Sequence, residues 1–189
     1  MNKFWLLTFM ILSGFQLSQA QAGLYLEPFV TSIIQGNLRN SDPTLTTTLR
    51  DGEASGVQYG GRLGWAFANG ALTLGGEYET GTLEREWDET TLTDGEMTTK
   101  NTGGFFRMGF NNFAFYATYI FDAEHDLDFN KQVFTGDGFK LGFAVALFRH
   151  VQLLFEYESI EYDEVENNSV VGDAYNESSL ISAGLSFPF

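Results

Sequence analysis

The sequence predicts an all-β fold, an eight-stranded antiparallel up-and-down transmembrane β-barrel. Three observations carry this. Apolar and polar residues alternate with period two in eight segments, the charges inside those segments keep to one parity, and the connections alternate between very short and long.

The chain has 189 residues, 10 Lys and Arg against 25 Asp and Glu, and no cysteine. That length suits one domain. Residues 1–22 read as a cleavable signal peptide: Lys3, then an apolar stretch from Phe4 to Leu12 too short to span a bilayer, then small residues at Ala20 and Ala22. The rival, a membrane anchor, fails where Ser13 and Gly14 break the run. Removing residues 1–22 takes away Lys3 and no acid, so residues 23–189 keep 9 bases against 25 acids, a net charge near −16. A nucleic-acid partner would require the opposite sign. No later segment is apolar for long enough to form a membrane-spanning helix.

Each strand follows from parity. In 24–34, Tyr25, Glu27, Phe29 and Thr31 oppose Leu24, Leu26 and Val30, with Pro28 tolerable near a strand's start. In 57–67, Tyr59, Leu63, Trp65 and Phe67 oppose Gln58, Gly60, Arg62 and Gly64. Segment 72–82 separates Leu72, Leu74 and Tyr78 from Thr73, Glu77 and Glu79, and 102–110 separates Phe106, Met108 and Phe110 from Gly103, Phe105 and Arg107. The fifth, 113–121, sets Phe113, Phe115, Tyr119 and Phe121 against Ala114, Tyr116, Thr118 and Ile120. The last three are 138–148, with Lys140 on its small-residue face, 151–160, with Glu156 and Glu158, and 179–189, with Ser182, Gly184 and Ser186.

Glu27, Arg62, Glu77, Glu79, Arg107, Lys140, Glu156 and Glu158 all share the polar parity. A charge facing lipid near the midplane costs up to about 4 kcal/mol, whereas a lumen can pair it. These eight residues are therefore expected to form an interior polar network in which the three bases are neutralised by the acids, because an unpaired buried charge costs several kcal/mol. The short connections lie near Asn69-Gly70, Asn111-Asn112 and Arg149-His150, and residues 35–55, 83–101, 122–137 and 161–177 read as long polar loops. A soluble ligand-binding barrel is the alternative fold, but its outer face would then carry Gly60, Gly64, Gly103, Gly142 and Gly184 where charge is needed.

Along the last segment, Ser182-Ala183-Gly184-Leu185-Ser186-Phe187-Pro188-Phe189 resembles the assembly signal of bacterial outer-membrane barrels. With the leader and the alternating loops, the whole of residues 23–189 is similar to the small eight-stranded barrel superfamily of the OmpA transmembrane domain and OmpX. The resemblance implies location in the outer membrane, contact with its lipid and lipopolysaccharide, and insertion by the assembly machinery with Gly184, Phe187 and Phe189 as recognition residues. Pro188 departs from the pattern because it removes one strand donor.

The superfamily's lipid A deacylases carry a His-x-Ser pair, but here His125 is followed by Asp126 and Leu127, and His150 lies far along the chain. No catalytic site or cofactor is expected. Asp122, Glu124, Asp126 and Asp128, followed by Asn130, form a weak metal candidate; Lys131 occupies the glycine position of a helical calcium loop and a solvated acidic strip explains the acids as well. The expected role is therefore non-enzymatic, structural or surface-interacting, with transport of small solutes or apolar molecules and lipid A modification as alternatives.

Overall fold

The computed structural model describes residues 22–41, 49–87, 95–127, 132–167 and 170–189. Eight strands, β1 (Gly23–Ser41), β2 (Leu49–Phe67), β3 (Leu72–Trp87), β4 (Gly95–Phe110), β5 (Phe113–Leu127), β6 (Gln132–Phe148), β7 (Val151–Asn167) and β8 (Val170–Ser186), pair with their sequence neighbours, and β1 pairs with β8. The ring is closed, so no strand edge is left open. The expected leader lies outside the described residues, apart from Ala22.

Three tight connections set the short-turn end. Ala68, Asn69 and Gly70 take positive φ values of 50, 59 and 84°, and Asn111 takes 49°, the geometry that lets a hairpin follow the strands' twist. Asn and Gly adopt it readily.

The strands outrun the expected segments at the opposite end, which corrects the long loops. Most of 35–55, 83–101, 122–137 and 161–177 is paired strand, with 42–48, 88–94, 128–131 and 168–169 outside the described residues. Strands of 15 to 19 residues rise about 40 Å when tilted, well beyond an apolar band of about 25 Å. The surplus stands above the membrane.

Wall polarity inverts at that boundary. Between the rim aromatics Trp65, Phe110, Phe113 and Phe148 and a belt formed by Tyr59, Tyr78, Tyr119 and Tyr157, the outer face is apolar and the lumen holds the charges. Above the belt the outer face carries acids such as Glu53, Glu84, Glu96 and Glu161, while Ile33, Leu38, Ala54, Leu83, Met97, Leu127 and Leu180 pack inside as one core. The upper part is thus built largely like the soluble barrel set aside for the whole chain, mainly apolar within, though Thr99, His125 and Ser178 are buried there too, and charged without.

Register shifts fall near the inversion, in β1 between Ser32 and Asn37, in β5 between Ile120 and Ala123, and in β7 between Tyr162 and Glu164. A bulged residue switches the parity that follows it. Phe121 and Asp122 are consequently both exposed, and beyond them Ala123, His125 and Leu127 turn inward.

Candidate functional site

The lumen network is centred on Arg62. Its neighbours across the ladder are Glu27 on β1 and Glu77 on β3, so register alone puts a carboxylate on each side. Nε donates to Glu77 Oε2 at 2.7 Å, Nη1 to Glu27 Oε2 at 3.4 Å, and Nη2 reaches across the lumen to Glu156 Oε1 on β7 at 2.7 Å. The guanidinium carbon lies 4.0 Å from the Tyr116 ring centroid and 4.6 Å from that of Phe29, which holds the fork flat between two aromatic faces.

Lys140 on β6 forms the second centre. Glu158 stands opposite it in register at 3.3 Å, and Nζ crosses the lumen to Glu77 Oε1 at 2.9 Å and Glu79 Oε2 at 2.7 Å. Glu77 therefore bridges the two cations, one oxygen to each. Thr118 donates to Glu77 at 2.9 Å, Tyr116 to Glu156 at 2.5 Å, and Tyr25 to Glu27 at 2.5 Å; Asn101 donates to Glu158 and Glu79 at 3.2 and 3.4 Å. All these side chains are buried, so each hydrogen bond offsets part of the cost of holding ions away from water. Small residues leave the room: a Cβ at Gly142 would collide with the Tyr116 ring.

Arg107 departs from the expected pairing. It faces the lumen near the short-turn end, donates to Gln152 Oε1 at 3.4 Å and lies 5.5 Å from the Tyr25 ring centroid, with no carboxylate within ion-pair distance among the described residues. The reason is height. Arg107 stands opposite Thr73 and Tyr116 in the ladder, and the lumen acids of β3 and β7 begin at Glu77 and Glu156, further from that mouth.

At the outer end the structure adds a pair that the sequence did not signal. The Tyr162 hydroxyl lies 2.8 Å from His125 Nε2, and the two rings pack at 4.3 Å. Burial, with Arg85 nearby, holds the imidazole's pKa down at about 3, and burial also raises the Tyr162 phenol's pKa well above its ordinary value. The inward turn after the β5 bulge creates the pair; without that bulge His125 would project outward.

The acidic strip does not converge. Asp122 is exposed, Glu124 bonds Lys100 at 3.1 Å, an exposed contact that raises the ammonium's pKa, and Asp126 follows on the same outward parity. Asp128, Asn130 and Lys131 lie outside the described residues, and among the described residues no three metal-ligating side chains come together.

Of the three residues expected to carry an assembly signal, Gly184 faces inward where a Cβ would strike the β1 backbone at Val30 and Thr31, and Phe187 and Phe189 project outward. Pro188 costs the β1 seam nothing. Phe187 N donates to Pro28 O at 2.9 Å and Phe189 N to Leu26 O at 2.8 Å, so the missing donor lies on the other side of the strand.

A closed eight-stranded ring with an apolar girdle outside and ion pairs within defines a bacterial outer-membrane β-barrel. Solved structures of that class share the fold. Neisserial surface protein A is 14% identical with a TM-score of 0.50 over 89% of this chain and 99% of that one. The attachment invasion locus protein Ail of Yersinia pestis is 10% identical with a TM-score of 0.50 over 88% of this chain and 97% of that one. No protein-family model and no curated protein matches the sequence.

Proposed function

We propose that the protein is a non-enzymatic barrel with a structural or surface-interaction role in the cell envelope, and that its extension above the membrane is the working face. The observation that carries this reading is that the lumen is filled at two levels by different chemistry. Across the membrane the Arg62 and Lys140 centres tie β1, β2, β3, β6 and β7 together through the lumen; above them the cluster containing Leu83, Met97, Leu127 and Leu180 packs apolar side chains into the bore. Eight strands leave only enough interior for side chains, and here those side chains bond one another.

The two histidines support the non-enzymatic half. Among the described residues their polar contacts are a tyrosine hydroxyl at one end of the barrel and a main-chain carbonyl at the other, so neither ring nitrogen bonds a serine hydroxyl directly. The acids above the tyrosine belt lie at headgroup level, where divalent cations would bridge them to the phosphates of lipopolysaccharide. Gly184, Phe187 and Phe189 keep their proposed role in recognition by the assembly machinery.

Planar-bilayer recording on the refolded protein tests the reading. The expected result is no steady ion current; sustained porin-like conductance of the wild type would overturn it.

A further inference from the structure

We propose that His150, in the β6–β7 turn, is a latch that fixes the end of the β1–β8 seam by holding Pro188 and Phe189. Regular pairing of β8 with β7 ends at Ser186 opposite Gln152, yet the chain continues beside β1 through Phe187 and Phe189. On the β7 side that continuation has no ladder partner, and Pro188 has no N–H to offer one. His150 fills the gap in two ways. Its Nδ1 lies 3.1 Å from the Pro188 carbonyl oxygen, a contact in which the ring nitrogen must donate. Its ring stacks on Phe189 with centroids 5.6 Å apart and planes within 13°.

The latch acts through position. Phe189 exchanges backbone bonds with Leu26, 2.8 Å in one direction and 3.4 Å in the other, and these are the outermost bonds of the seam at the short-turn rim. The Phe189 side chain is 66% exposed there, so little of the protein itself packs against it. Bonds at such a rim fray first. By holding Pro188 from the β7 side and Phe189 from its ring face, His150 keeps both seam bonds closed and explains how proline is accommodated at this position.

Amide hydrogen exchange on the refolded full-length barrel tests this. In His150→Ala the Phe189 amide should exchange about tenfold faster, the combined effect expected of one ring stack and one hydrogen bond. Amides in the middle of β2 to β5, such as Phe106, should keep their wild-type rates. His150→Phe, which keeps a ring and loses the donor, should give a smaller rise at Phe189. Wild-type exchange at Phe189 in both variants would overturn the latch. An equal rise across the whole barrel would also overturn it, since that would mark general destabilisation.

Discussion

Acidification should reveal His125 as a site where the outer half of the barrel loses stability. Folded His125 binds a proton far less readily than the unfolded imidazole, its pKa being held from 6.5 down to about 3 by burial, with Arg85 adding to the effect. Its contribution is complete above pH 6.5 and is lost as pH falls through that value toward 3. At pH 5 the unfolded imidazole is protonated and the folded one is not. The loss is roughly 1.5 pH units times ~1.4 kcal/mol, or about 2 kcal/mol, against almost nothing at pH 7.5. The outward acids respond oppositely: Glu53 faces Glu86 and Glu84 faces Glu96 across the ladder, and such like-charge pairs are relieved by protons. A difference between variants removes that background. His125→Gln keeps a polar group beside Tyr162 and does not titrate, so the stability gap between wild type and variant, from urea unfolding in lipid vesicles, should move about 2 kcal/mol toward the variant between pH 7.5 and pH 5. A gap independent of pH would refute the reasoning, as would an NMR titration of the His125 ring with a midpoint above pH 5.

Two further outcomes follow from the charges and the leader. Glu77→Ala strips the shared anion from Arg62 and Lys140 together and should cost about 3 to 5 kcal/mol, whereas Arg107→Ala, losing one long hydrogen bond and a loose ring contact, should cost about 1 kcal/mol; urea unfolding of both variants would show equal losses if the ranking is mistaken. N-terminal sequencing of the membrane-extracted protein should begin at Gly23, following the small residues Ala20 and Ala22, and a start at Met1 would refute cleavage.

Within the bilayer the fold was legible because lipid enforces a strict rule. A medium that rejects charge pushed Glu27, Arg62, Glu77 and Lys140 to one parity, and the structure puts those side chains in the lumen. Above the bilayer the rule lapses. Glu84, Glu86 and Glu96 face water, look like loop residues and hide strands whose inward parity still carries Leu83 and Met97. His125 was concealed by a single bulged residue, since one extra residue reverses every later side chain on the strand. Parity put the network's members on one face, and strand order set β3 beside Arg62 and β7 beside Lys140 without fixing the register. Glu77 meets Arg62 and Glu158 meets Lys140 as ladder neighbours, whereas Glu156 reaches Arg62, and Glu79 and the second oxygen of Glu77 reach Lys140, across the lumen, a distance that no strand spacing encodes. Arg107 shows the same limit, having the right parity at a height with no acid opposite.

The inversion of wall polarity also bears on what mutation can do to the barrel's permeability. An ion entering from the short-turn side would meet Arg107 and then the Arg62 and Lys140 centres, where a break such as Glu77→Ala leaves polar surface that water can solvate. Beyond them lie Leu83, Met97, Leu127 and Leu180, all at most 4% exposed. Those side chains offer an ion no replacement for its hydration shell, so they raise the cost of passage even where the polar layer is broken, with His125 and Tyr162 as polar groups beside them. A defect in the apolar layer alone would likewise leave the ion pairs bridging the lumen below. The seals are chemically independent because each half of the wall answers to a different solvent. Lipid around the lower half drives charge inward, where most of it pairs, and water around the upper half drives apolar side chains inward, where they pack. The same division leaves the acidic residues on the outside of the upper half, at the height where the barrel meets its surroundings.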